Sequence, residues 1–276
     1  MRTLVSVITA RHHARLLGLA LLLGLTACSG DDPDRYVARD VEVIYNLAKD
    51  NLERGNYKLA AAAFDEVERQ HPYSIWARRA QLMAAYSNYM ANQYEDSVLA
   101  AERFLSLHPG NRQAPYAYYL IALSHYERIT DVRRDQSQTH QARDALREVI
   151  RRYPGTEYAR DAQLKLDLTN DHLAGKDMEV GRFYLKRKEY LAAAKRFSSV
   201  IQNYQTTSHV PEALHRLVEA YLAMGVMPEA RKTAAVLGHN YPGTKWYEHS
   251  YRLLEERQLR PATEVDPSIF DVLLPF

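Results

Sequence analysis

Residues 57–72 read Tyr57-Lys-Leu-Ala60-Ala-Ala-Ala-Phe64-Asp-Glu-Val67-Glu-Arg-Gln-His-Pro72. Ala60, Phe64 and Val67 stand at i, i+4 and i+7, which is one face of an α-helix. The pattern returns as Tyr94, Ser97, Ala101, Phe104 and Pro109, and then as Ala142, Leu146, Val149 and Pro154. It returns again as Tyr190, Ala193, Phe197, Val200 and Gln205, and last as Ala230, Ala234, Leu237 and Pro242. A small first residue lets two helices approach closely, the larger ones fill the gap, and the proline stops the helix. Another apolar-periodic segment precedes each copy, over 41–54, 78–91, 115–128, 159–187 and 211–224.

A helix pair repeated in the mid-thirties of residues (copies one and two are 37 apart) and closed by proline resembles the tetratricopeptide repeat. The resemblance implies an all-α fold: a right-handed α-solenoid of five helix pairs, with 246–257 as a C-terminal capping helix. Two departures stand out. The third copy carries a charged insertion between its helices, Ile129 to Thr139. The fourth has a long first helix, 159–187, that reads as interrupted near Ala174-Gly175-Lys176. The expected organisation is three repeats over 41–154, two repeats and the cap over 155–257, and a tail over 258–276.

The N-terminal segment reads differently. Arg2, Arg11 and Arg15 are the only charged residues among the first 27, and Leu16–Leu25 is an apolar run. This is the layout of a secretory signal, and its charge-free stretch is shorter than the ~20 residues that a spanning helix needs. It runs into Leu25-Thr26-Ala27-Cys28, which resembles a bacterial lipoprotein signal. That likeness implies removal of 1–27, a diacylglycerol thioether on Cys28 and acylation of the freed amine. Several acyl chains anchor stably, at roughly 0.8 kcal/mol per buried CH₂. Ser29 in place of an acid goes with export to the outer membrane in such lipoproteins, and residues 28–40 read as a short tether.

Composition narrows the chemistry. Cys28 is the sole cysteine, so no internal disulfide, CxxC pair or multi-cysteine metal site is available. The net charge of +2 belongs to the signal; without it, 33 basic residues face 34 acidic ones. That balance excludes a strongly basic nucleic-acid binder. No HExxH, GxSxG, GxGxxG or P-loop is present, which predicts neither an enzyme nor a metal site. His71 and His108 occupy the pre-proline position that Tyr153, Tyr204 and Tyr241 hold in the other copies, and read as packing residues. No cofactor is expected beyond the covalent lipid.

In the resembled repeat, positions 2, 5, 9, 12 and 13 of each first helix line the concave face. In this chain they are Glu42, Tyr45, Lys49, Leu52 and Glu53; then Arg79, Leu82, Tyr86, Tyr89 and Met90; then Tyr116, Tyr119, Leu123, Tyr126 and Glu127. Six tyrosines thus face one groove, offering apolar area with hydroxyls, which suits an extended peptide. The lipobox, the tether, five repeats, Asp131-Val-Arg-Arg-Asp135, His140-Gln-Ala-Arg143 and Val149-Ile-Arg-Arg-Tyr-Pro-Gly-Thr156 together resemble the BamD family. These are lipoproteins of the outer-membrane β-barrel assembly machinery. The resemblance covers about 36–257. It implies a non-enzymatic scaffold on the periplasmic face of the outer membrane, beside the other lipoproteins of that machinery. It further implies that the back repeats bind the periplasmic domains of BamA, with Arg196 at a contact position. The front repeats would receive the C-terminal segments of unfolded outer-membrane proteins. A different envelope lipoprotein with such repeats, pilotin-like or division-linked, is the alternative.

Overall fold

The computed structural model describes residues 39–257, so the signal, Cys28, most of the tether and the tail 258–276 lie outside the described residues. Among these residues it holds eleven helices and no strand. They pair in chain order: α1 (Val41–Glu53) with α2 (Tyr57–Gln70), and α3 (Ile75–Met90) with α4 (Tyr94–Leu107). Next come α5 (Ala114–Tyr126) with α6 (Ser137–Arg152), and α7 (Glu157–Lys186) with α8 (Tyr190–Asn203). The last pair is α9 (Val210–Met224) with α10 (Met227–Asn240), closed by α11 (Lys245–Glu256). Each helix packs on the next, and the first helices of successive pairs also touch: α1 on α3, α3 on α5, α5 on α7 and α7 on α9. This is the stacking of a tetratricopeptide-type solenoid.

The repeated positions are the core. Ala60, Phe64, Val67 and their counterparts through Ala230, Ala234 and Leu237 are all at most 1% exposed. Burying a phenylalanine or leucine in such a site contributes roughly 1.5–3 kcal/mol. Each second helix ends alike: the N–H of His71, His108, Tyr153, Tyr204 or Tyr241 bonds the carbonyl four residues back. The pre-proline residue is therefore a C-cap. Its ring packs inward, as His108 does on Phe104 at 5.5 Å and Tyr153 on Tyr118 at 5.6 Å. Ser74, Thr156 and Thr244 then cap the next helix by accepting from Ala77, Ala159 and Tyr247 N–H at 3.0, 3.1 and 3.3 Å.

Within four pairs the turn between helices is also shared. Gly55, Asn92, Lys188 and Gly225 adopt left-handed φ values of 58–77°. The next residue's N–H reaches back to Asn51, Asn88, Tyr184 or Tyr221, which closes a Schellman motif. The third pair departs because the insertion replaces this turn.

Two sequence expectations need correction. The insertion is shorter than Ile129–Thr139, because Ser137 to Thr139 form the first turn of α6. Thr139 is buried there and donates to Gln136 Oε1 at 2.9 Å, which draws the chain into the helix early. The long helix is also not interrupted: α7 runs unbroken for 30 residues through Gly175. A mid-helix glycine costs about 1 kcal/mol. Burial of Leu173, Ala174 and Met178 around it outweighs that cost. Gly175 serves close approach instead, since a Cβ there would sit 3.3 Å from His209 Nε2 and 3.6 Å from Val132 Cγ1.

Candidate functional site

The predicted groove residues fall into two groups. Tyr45 packs edge-on to Phe64 at 5.4 Å and against Trp76 at 4.7 Å, with the Arg79 guanidinium 5.7 Å from the Trp76 ring centroid. Tyr45, Trp76 and Arg79 form one patch over Phe64 at the first two repeats. Leu82, at a groove position by register, is instead buried against Phe104 and Ala117.

The other group is a continuous row on α3, α5 and α7. Tyr86 and Tyr89 rest on Ala85, Ala101 and Leu120. Tyr116 and Tyr119 both meet Tyr158 of α7, at ring separations of 5.7 and 5.3 Å. Tyr119 donates its phenol hydrogen to Asp161 Oδ2, and Lys165 Nζ lies 2.9 Å from the same oxygen. Lys165 also stands 5.7 Å from the Tyr126 ring, which brings Tyr126 onto the end of the row. Tyr89 donates to Glu127 Oε1 at 3.2 Å.

Electrostatics fix the state of these rings. Burial, then the Glu127 charge and hydrogen bond, push the Tyr89 hydroxyl up to about 12. Burial raises Tyr116, aided by the neighbouring tyrosines. Burial and then the hydrogen bond to Asp161 raise Tyr119. Burial works against ionised Asp161, yet the bonds from Lys165 and Tyr119 outweigh it and hold its carboxyl below its ordinary value. At neutral pH Tyr89, Tyr116 and Tyr119 are therefore uncharged phenols with apolar faces and hydroxyl edges. That surface can cover apolar side chains and bond a peptide backbone.

Trp76, Tyr158, Asp161 and Lys165 were not singled out by sequence. A signal existed for Asp161, which follows Pro154 by seven residues as Arg79 follows Pro72 and Tyr116 follows Pro109.

Arg196 lies elsewhere, on α8. Its Nη1 is 3.0 Å from Asp177 Oδ1, and Ser199 Oγ donates to Asp177 Oδ2 at 2.8 Å. Arg196 is half exposed on a concavity of about 500 Å³ that it shares with Arg133, Arg134, His140 and Lys176. Lys176 Nζ donates to the Arg133 and Arg134 carbonyls at 3.2 and 3.3 Å, so the insertion is pinned to the middle of α7. Asp135 and Asp177 line the same concavity, so Arg133, Arg134, Lys176 and Arg196 outnumber its carboxylates without being free of them. Among the described residues, no helix is long and apolar enough to cross a membrane. No group of three or more His, Cys, Asp or Glu among them is placed to hold a metal ion.

Stacked helix pairs with an aromatic inner row define a helical-repeat protein of the tetratricopeptide class. Comparison with known proteins is more specific. The family model described as an outer membrane lipoprotein (YfiO) matches residues 37–237. A Caulobacter vibrioides protein named "Outer membrane protein assembly factor BamD" is 56% identical over 229 residues, covering 83% of this chain and 75% of that one. The protein of the same name from Rickettsia prowazekii is 46% identical, covering 88% of this chain and 98% of that one. That from Neisseria meningitidis serogroup A is 34% identical, covering 86% and 94%. The chain belongs to the BamD family of outer membrane protein assembly factors, the proteins of the BAM complex. Membership sets aside the pilotin-like and division-linked alternatives. Among solved structures, the TPR2AB domain of yeast Sti1 overlaps with a TM-score of 0.40 at 10% identity, over 79% of this chain and 84% of that one.

Proposed function

We propose that this assembly factor is a lipid-anchored, non-enzymatic scaffold. Acyl chains on Cys28 hold it at the periplasmic face of the outer membrane. The tyrosine row of repeats two to four takes the C-terminal segment of an unfolded barrel protein. The back repeats hold the periplasmic domains of BamA, with Arg196 and its basic neighbours facing an acidic patch of that partner; other lipoproteins of the complex bind alongside. The observation that carries the reading is the row Tyr86, Tyr89, Tyr116, Tyr119 and Tyr158. It presents contiguous, half-buried aromatic surface.

Two measurements test it together: outer-membrane barrel protein levels on depletion of the protein, and co-purification with BamA. Falling barrel levels and recovery of BamA are expected. Normal barrel levels with no BamA recovered would overturn the reading. Replacing Cys28 by Ser and finding the protein still in the membrane fraction would overturn the anchor.

A further inference from the structure

Of the phenylalanines among the described residues, Phe64, Phe104 and Phe197 are fully buried, whereas Phe183 is 54% exposed. It stands on the last turns of α7, in a concavity of about 430 Å³ lined also by Glu179, Arg182, Leu185 and Lys186 of the same helix and by Arg216 of α9. Most of the charge around this hollow is already matched. Arg182 is held by Glu179 and Glu212 at 3.4 and 3.1 Å. Arg216 is held by Glu212 and Glu219 at 3.5 and 2.8 Å. Lys186 is exposed and has no ion pair among the described residues. The hollow thus offers a bare aromatic ring, a rim of satisfied arginines and one cation left over. Its complement is an apolar side chain with a carboxylate directly beside it.

The chain carries that complement itself. Residues 258–276 hold Glu264, Asp266 and Asp271 against Arg260 alone, and Ile269-Phe270-Asp271-Val272 sets an aromatic ring next to an acid. The point of departure is close by. Arg257 Nη1 donates to the Leu222 carbonyl at 3.2 Å, near the end of α9. Arg216 lies six residues back on α9, about 9 Å at 1.5 Å per residue, and a packed neighbour such as α7 lies about 8–10 Å away. Thirteen residues lead from Arg257 to Phe270, and they reach up to about 43–47 Å when extended. The reach exceeds the need about twofold, and a tether of this length keeps its end at a high effective concentration over the hollow. We infer that the tail folds back on α7 and α9, with the Phe270 ring against Phe183 and the Asp271 carboxylate beside Lys186. Neither the tyrosine row nor the lipid anchor enters into this docking. The back repeats are then covered in part by their own chain, and a partner that uses this face must first displace the tail.

Disulfide trapping tests this in residues 28–276 carrying Cys28→Ser, which removes the sole native thiol. Lys186→Cys with Asp271→Cys puts one thiol at the hollow and one in the tail. Leu191→Cys with Asp271→Cys is the comparison pair, because Leu191 is 63% exposed, five residues further along the chain and outside the hollow. Under mild oxidation at low protein concentration, the hollow pair is expected to close at least about tenfold faster than the comparison pair. Phe270→Ala, or Phe183→Ala, added to the hollow pair should slow it to the comparison rate. Circular dichroism checks the fold of each variant. Equal rates in the two pairs would overturn the docking. Covalent dimers in place of internal closure would also overturn it and give the hollow to a second copy.

Discussion

Nδ1 of His215 on α9 lies 2.8 Å from Oγ of Ser250 on α11, and both residues are buried. Trp246 and His249 close over the imidazole at ring separations of 5.4 and 5.7 Å. This contact is the latch of the last helix. Burial, then the charges of Arg216 and His249, lower the His215 pKa from 6.5 to about 4. The folded protein therefore keeps the ring neutral, while the unfolded chain protonates it below about 6.5. Stability attached to this site is complete above 6.5 and is lost as pH falls toward 4. The loss is at most about 3 kcal/mol. The protection factors of the α11 amides, taken relative to the intrinsic exchange rate at each pH, should fall between pH 7 and pH 5. The double variant His215→Leu, Ser250→Ala, which removes both polar partners, should flatten that dependence. An unchanged pH profile in the variant would assign the effect to other groups.

Gly181 of α7 faces Phe197 so closely that an added Cβ would lie 2.5 Å from Cε1 of the ring. Phe197 is fully buried and cannot swing aside. Gly181→Ala should destabilise the protein by about 1–3 kcal/mol, although alanine is the better helix former. Adding Phe197→Leu should return part of the loss. Urea unfolding measures both, and a stabilised single variant would show that α7 and α8 can spread apart at little cost.

Lys188 occupies the left-handed turn position that is glycine in the first and fifth pairs. Lys188→Gly should stabilise the protein by about 0.5–1 kcal/mol, because a side chain there costs about 1–2 kcal/mol and glycine's extra unfolded-state freedom cancels part of the gain. Gly225→Ala should do the reverse. Thermal unfolding of the pair decides; shifts of the same sign would refute the shared-turn account.

For the groove, Tyr86→Ala with Tyr119→Ala should weaken binding of a barrel protein's C-terminal peptide by about tenfold or more, the scale of losing aromatic hot-spot residues. Unchanged affinity in a folded double variant would remove these tyrosines from the site.

Arg196→Ala should reduce co-purification of BamA without lowering the unfolding midpoint. Arg196 is half exposed, and Asp177 keeps its bond from Ser199. Loss of stability in place of loss of partner would recast the arginine as an internal brace.

The helices were legible because each repeat states its small and large positions in the same order, with a closing proline in all but the fourth, so burial and capping agree with periodicity. Tyr45 was legible as inward-facing but not as separate from the others; Trp76, just before the register begins, claims its ring. Asp161 sits at a countable position, yet its bond to Tyr119 depends on how α7 lies beside α5, which no local pattern states. Gly175 misled for the opposite reason. Its local preference to end a helix is weaker than the burial of Leu173 and Met178 on either side, and only the tertiary structure reveals that balance.

An unbroken α7 also works as a ruler. Asp161 belongs to the tyrosine row and Asp177 to the hollow of Arg196, and sixteen residues of one helix separate them. At 1.5 Å per residue that is about 24 Å, set by backbone hydrogen bonds rather than by a joint. Whatever occupies one seat is held at a constant interval from whatever occupies the other. A hinge at Gly175 would have let the two positions move independently; the continuous helix fixes the interval between them.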